Sequence, residues 1–479
     1  MTRRPLFLNT VAASAAFVVA AVIVPLGAVN SARAPARTVW GDEQALASLP
    51  PQICDLDEIA IDSAGNVVIA GTTSSPAFPT TPDAADRSCG TDGDAFVMIL
   101  SPAGDVRYST CLGGPMTESW VDIAPAPDGS IWVAATTDLR VRPEGYSTTE
   151  CHVAIWRLRP DRSALDGPVW LGGPGTLAWL VEAETGPGGT VWVLANTRSS
   201  SVPVVNAWQP ALAGDYDMLL ARFEPGRADP LLLTYLGGSS LDQGLSLAVA
   251  PDGDAVVSGR SLSTDFPVVR PAQPNSGGAC DIVLSRLDVS GRWLEYSTFL
   301  GGSSWEESVQ VAVDADGTVF AAGRTTSPDF PSTGESIRRN ANLDNFFVAL
   351  DGAGRLRSAA LIGHRVERVP ADDVGAGVRN VFARDDGSVL VTGAWFSDNL
   401  LRGGWFAALT NNAGVDLRPP LLTETGADNC CIAEAETLAG AYLYVVRTNL
   451  FMPAWKRYLA RLSVSGTRPE SPAGWHAHR

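Results

Sequence analysis

Side chains able to do chemistry are few. The histidines are His152, His364, His476 and His478, the last two in a short polar tail. Lys456 is the only lysine, so 34 of the 35 basic residues are arginines. Arginine holds its proton too firmly to act as a nucleophile or general base. A zinc site built on several histidines is excluded by number. A Ser-His-Asp set would have to rest on His152 or His364, and no Gly-x-Ser-x-Gly elbow accompanies either. We therefore expect no catalytic set, no metal-ligand set and no cofactor.

Carboxylates are the more promising chemistry. Aligned on the glycine turns that follow them, seven polar positions precede a buried aliphatic: Glu58, Asp122, Glu182, Ser246, Gln310, Asn380 and Glu434. Alternation in a strand puts each on the side opposite its aliphatic neighbour. If those strands surround an axis, the set lines a central channel with four carboxylates. Such a channel is either simply wet or holds a cation or polar ligand, because clustered carboxylates repel one another.

Seven cysteines, Cys54, Cys89, Cys111, Cys151, Cys280, Cys430 and Cys431, suit an oxidising compartment. Cys54 could bridge to Cys430 or Cys431, and Cys89 to Cys151. The neighbours Cys430 and Cys431 could instead join each other. Trp120, Trp179 and Trp305 fall where polar loops run into strands. There they either offer flat faces to a partner or pack between sheets.

The elements that position these residues repeat. Tyr-Ser-Thr-Cys-Leu-Gly-Gly ends at Gly114, Trp-Leu-Gly-Gly at Gly173, Thr-Tyr-Leu-Gly-Gly at Gly238 and Tyr-Ser-Thr-Phe-Leu-Gly-Gly at Gly302, with Ala-Leu-Ile-Gly-His ending at His364. The spacings are 59, 65, 64 and 62 residues. Between these marks lie an Asp-Gly turn (Asp62–Asn66, Pro127–Ser130, Pro251–Asp254, Asp314–Thr318, Asp385–Ser388), a second strand, a polar Phe-Pro loop and a third strand. That third strand opens at Asp94, Asp217 or Asp281, with Asn345 as a variant. The Asp-Gly turns lack the closing bidentate acid of a calcium loop and read as hairpin turns. An aspartate recurring in every repeat reads as a structural acceptor for backbone N–H groups. Four short strands per repeat make one antiparallel sheet. Copies packed face to face bury the hydrophobic faces that one sheet leaves wet.

Tyr-Ser-Thr-x-Leu-Gly-Gly, Asp-x-x-Gly-Asn, Gly-Thr-Thr-Ser-Ser and Phe-Pro-Thr-Thr together resemble the bacterial SBBP beta-propeller repeat family, best over residues 55–114 and 232–350. The resemblance implies a seven-bladed propeller in an exported or surface protein and no defined activity. The expected fold is all-β: a seven-bladed β-propeller of four-stranded antiparallel blades over residues 35–466. The N-terminal segment around Thr38–Gly41 should pair with the C-terminal blade and close the ring.

Residues 1–34 read as a signal peptide, with arginines at 3 and 4, an apolar stretch and Ala32-Arg33-Ala34. The alternative is an uncleaved anchor. Residues 467–479 form the polar tail. A net charge of −17 argues against nucleic-acid binding. The expected product is secreted, periplasmic or on a bacterial cell surface, with no membrane span after cleavage. Its leading function is that of a non-catalytic scaffold binding a protein or glycan on its loop-rich face. The alternative is an enzyme (lyase, hydrolase or quinone-dependent oxidoreductase) at the channel mouth, where a cation could also sit.

Overall fold

The computed structural model describes residues 44–113, 116–138, 151–171, 177–227, 229–333, 344–362, 374–383, 388–397, 403–411, 431–439, 442–449 and 456–463. Within them the chain is all-β, with one 3-10 turn at Pro187–Gly189. The strands form antiparallel sheets, six of four strands and one of three. We number the sheets one to seven in chain order.

Sheet one shows the plan. Asp55–Ile61, Val67–Thr73, Asp94–Leu100 and Val106–Leu112 pair in sequence order. Sheets two to five begin with Thr117–Pro125, Ala178–Thr185, Asp242–Val249 and Glu306–Val313. Sheet six contains Val374–Ala383, Ser388–Ser397 and Gly403–Asn411. Sheet seven contains Cys431–Ala439, Tyr442–Asn449 and Lys456–Ser463, with Gln44–Ser48 added at its edge. In that pairing Ser48 faces Tyr458 and Gln44 faces Arg461. Thr38–Gly41, expected to make this strand, lies outside the described residues, as do the leader and the tail.

Local chemistry explains the hairpins. The Asp62 carboxylate accepts from the N–H groups of Ala64 and Asn66, both at 2.9 Å, while Gly65 takes φ 79°. Asp314 accepts from Asp316 N–H (2.9 Å) and Thr318 N–H (2.8 Å) around Gly317 at φ 78°. These turns are held by side chain to backbone bonds, with glycine in the left-handed position.

The second and third strands of sheet one, Val67–Thr73 and Asp94–Leu100, are buried along their whole length. One face belongs to their own sheet's side of the core and the other meets a neighbour. Val68, Val97 and Ile99 of sheet one join Val121, Ile123 and Val133 of sheet two in one cluster. Phe320 and Phe347 of sheet five, their rings stacked at 6.0 Å, meet Val381 and Val391 of sheet six. Neighbouring sheets thus bury their facing sides against each other, and that burial drives the packing.

The loops between second and third strands return along the outer strands. Thr81 N–H donates to Ser109 O (2.9 Å), Val205 N–H to Leu233 O (2.9 Å), and Val269 N–H to Ser297 O (3.0 Å). They cover edges that would otherwise be open to other strands. This path corrects one cysteine assignment. Cys89 lies on the returning loop, and it is bonded to Cys111 in the outer strand of its own sheet, with Cα atoms 5.6 Å apart. It is therefore not available to Cys151, which opens the third strand of sheet two. Cys430 lies outside the described residues, and the side chain of Cys431 is not described.

Candidate functional site

The polar positions found by alignment do share one register. Each follows a bulge in the first strand of its sheet. Glu58 pairs with Ala70, Asp122 with Ala134, Glu182 with Leu194, Ser246 with Ser258, Gln310 with Ala322 and Asn380 with Thr392. In sheet seven the register differs from expectation by one residue. Ala435 pairs with Val446 and occupies the shared position, while Glu434 is the bulged residue before it. Bulges add an unpaired residue to one strand, and an ungapped alignment on the turn cannot place it.

These side chains spend their oxygens on backbone amides, largely those of the next sheet. Asp122 Oδ2 accepts from Ala183 N–H at 2.7 Å and Oδ1 from its own strand's Ile123 N–H at 2.6 Å. Glu182 Oε2 accepts from Leu247 N–H at 2.6 Å, and Ser246 Oγ from Val311 N–H at 3.3 Å. Sheet after sheet, the polar position holds the residue just past the same position in its neighbour. Glu58 instead accepts from its own Ile59 N–H at 2.9 Å. In sheet one the bulged Asp57 makes the crossing, accepting from Val121 N–H at 3.0 Å.

Electrostatics sharpen the cluster on sheets one to three. Burial pushes Asp57 up to about 6, against the Val121 bond that lowers it. Burial lifts Asp122 to about 7 despite its two amide bonds. Burial, then the Asp122 charge, raise Glu58 and Glu182 well above the usual carboxylate range. The same pair of causes brings Glu184 to about 8. Taking a carboxylate out of water beside another favours its neutral form. Asp57 and Glu184 did not emerge from the alignment. Glu184 lies two residues beyond Glu182, hence on the same side of the strand. Asp57 is the acid just before Glu58, which the bulge turns toward the neighbouring sheet.

The recurring aspartate of the third strand is an amide acceptor. Asp94 Oδ2 accepts from Gly90 N–H at 2.7 Å and Asp217 Oδ2 from Ala213 N–H at 2.9 Å. Asp281 accepts from Gly277 N–H. Two assignments change. Asp344, opposite Thr325, holds this position in sheet five, so Asn345 is its neighbour and not its variant. In sheet two the position belongs to His152, opposite Thr137. His152 is buried and meets Trp170 edge-on at 6.3 Å. His364 lies outside the described residues.

The tryptophans divide. Trp179 is half-buried and packs edge-on against Tyr216 at 5.4 Å. Trp120 and Trp305 are 40% and 44% exposed. Trp305 directly precedes the first strand of sheet five, and Trp120 sits in the bulge of sheet two with φ 50°. A bulky residue at positive φ is uncommon and is held only where the surroundings fix it.

No family model matches the chain. Among curated proteins, the regulatory protein FlaEY of Caulobacter vibrioides is 27% identical over 185 residues. That match covers 38% of this chain and 19% of the relative, so the chain spans about a fifth of that protein's length. Among solved structures, Kuenenia stuttgartiensis hydrazine synthase is similar with a TM-score of 0.46 and 10% identity, covering 82% of this chain and 92% of that one. The polysaccharide lyase Uly1 gives 0.47 and 9%, covering 91% and 94%. Likenesses this loose say nothing about activity. No helix among the described residues is long and apolar enough to cross a membrane.

Proposed function

We propose that the chain is an exported, non-catalytic propeller of the SBBP repeat kind, which binds a glycan or protein on the face where Trp120 and Trp305 stand. On this reading the seven sheets are seven blades, and Gln44–Ser48 closes the ring by completing the last. Support for the ring comes from the pairing of Gln44–Ser48 with Lys456–Ser463 and from inner strands that bond blade to blade. The disulfide fits an oxidising compartment.

The observation that carries the binding reading is Trp120, a large exposed indole fixed at positive φ inside a strand bulge. A rigid flat ring loses little conformational entropy when it stacks on a sugar face or fills a partner's pocket. Of the two partner classes we favour glycans, because Trp120 and Trp305 both expose indole rings and flat aromatic faces suit sugar rings. A glycan array tests it. Wild-type protein should retain a defined set of sugars, and W120A and W305A should lose them while melting unchanged. No retained sugar, or equal retention by the variants, would contradict the glycan reading.

A second reading has its own observation. Asp122 and Glu184, raised to about 7 and about 8, are poised for proton transfer near neutral pH. That would suit an enzyme whose site lies at the channel mouth. Turnover of any polysaccharide or ester that vanishes in E184Q but survives in W120A would favour it over the binder.

A further inference from the structure

Three junctions between consecutive sheets are built alike. Glu118 N–H donates to Gly93 O at 2.9 Å, Asp242 N–H to Tyr216 O at 2.8 Å and Glu306 N–H to Cys280 O at 2.9 Å. Each accepting carbonyl belongs to the residue before a third-strand aspartate: Asp94, Asp217 or Asp281. Each junction therefore sets an acid at the start of one sheet beside an aspartate of the sheet before.

In the later two junctions the first acid is satisfied. Asp242 accepts from the hydroxyls of Ser261 and Ser263 and from Gly238 N–H. Glu306 accepts from the Thr325 hydroxyl at 2.6 Å and from Gly302 N–H at 3.3 Å. Glu118 has none of these. It is 2% exposed, and neither Oε1 nor Oε2 has a hydrogen-bond partner among the described residues. Thr137, its opposite in the register as Ser261 is for Asp242, turns its hydroxyl to His152 O at 3.3 Å. Two residues further on, the sequence has Leu139 where sheets four and five have Ser263 and Ser327. Asp94, whose charge acts on Glu118, is 3% exposed, and its Oδ1 has no partner among the described residues, as is also true of Oδ1 in Asp217 and Asp281; what sets this junction apart is Glu118.

Three buried carboxylate oxygens of one junction are thus without a hydrogen-bond partner among the described residues, with only the Glu118 and Ala95 N–H groups near enough to favour the charged form of Glu118. A buried acceptor left unmet is costly, and two buried acids without a counter-charge more so. Two carboxylates offering only oxygen match a hard divalent ion, which takes bidentate carboxylates and completes its shell with water or backbone oxygen. We propose that Asp94 and Glu118 hold a calcium ion that joins sheet one to sheet two. The site lies two residues from Trp120 on the same strand and does not rest on the proposed function. The second sheet, whose sequence has Leu139 where the fourth and fifth have Ser263 and Ser327, then uses a cation where those sheets use hydroxyl groups.

The test is calorimetric titration of the full-length, EDTA-treated protein with calcium chloride, alongside its melting temperature. Wild-type protein should show one saturable site and a higher melting temperature with calcium. E118Q and D94N should each weaken binding more than about tenfold, since a neutral amide removes the charge the ion needs. E306Q, at the junction already supplied with donors, should bind as wild type does. Should E118Q not fold, D94N and the wild-type titration still decide the matter. No heat and no shift in melting temperature up to millimolar calcium would overturn the proposal. So would calcium binding that E118Q and D94N leave unchanged.

Discussion

The carboxylate of Asp122 accepts the backbone N–H of Ala183 across 2.7 Å, from the first strand of one sheet to the first strand of the next. Its other oxygen is held by Ile123 N–H. One side chain therefore ties the first strands of two sheets together. D122A would leave two amides without an acceptor, at about 1–3 kcal/mol for each buried donor. D122N keeps an oxygen for one of them and should lose less. Urea unfolding of both variants checks the order, and a D122A as stable as wild type would show that the crossing bond carries no weight.

The same acids set a pH dependence. Asp57, Asp122 and Glu184 sit at about 6, about 7 and about 8 in the folded chain, above carboxylates in an unfolded one. The folded state then binds more protons than the unfolded state between these values. Stability is greatest near pH 4 so far as these groups decide it, and falls as pH rises through about 6 to 8. Melting temperatures at pH 5 and pH 9 should show the drop, and E184Q should reduce it. A melting temperature that rises over this range would contradict the assignment.

Cys89 and Cys111 close a loop with a sequence separation of 22. A cross-link of that length is worth on the order of 3 kcal/mol through the unfolded chain. Peptide mapping without reductant should recover the two cysteines in one linked pair, and C89A/C111A should unfold at lower urea. Finding Cys89 joined to Cys151 would restore the pairing that the returning loop argues against.

Packing between sheets makes its own demand. Phe320 is fully buried where sheets five and six meet, and F320A should cost about 3–5 kcal/mol. Gly301 is a subtler case: a Cβ there would come within 2.4 Å of Asp281 Oδ1 and 2.6 Å of Glu306 Oε2. G301A should therefore destabilise by about 1–3 kcal/mol through overpacking. This explains the first glycine of the Leu-Gly-Gly repeat, since Gly113 and Gly237 abut Asp94 and Asp217 in the same way. Differential scanning calorimetry of F320A and G301A measures both.

Much of the architecture was readable from residues because glycine, aspartate and proline punctuate it. Asp62-Ser-Ala-Gly-Asn66 states a hairpin, and the aspartates at 94, 217 and 281 state an amide acceptor. What the residues hid depends on register and on chain return. One bulged residue separates Glu434 from Ala435, and one position separates Asn345 from Asp344. Cys89 found Cys111 because its loop doubles back on its own sheet, which spacing along the chain does not reveal. The row of polar positions was visible as a pattern, but its bonds from sheet to sheet required two strands to be placed side by side. Glu118 drew no notice because its peculiarity is what its neighbours lack.

The most direct test of the whole account is the melting temperature of a chain that starts at Leu49, against one that starts at Pro35. If Gln44–Ser48 completes the last blade and closes a ring of seven, the shorter chain should melt several degrees lower and expose the edge at Lys456–Ser463 to amide exchange. Equal melting temperatures and an equally protected edge would mean that the ring is not closed there.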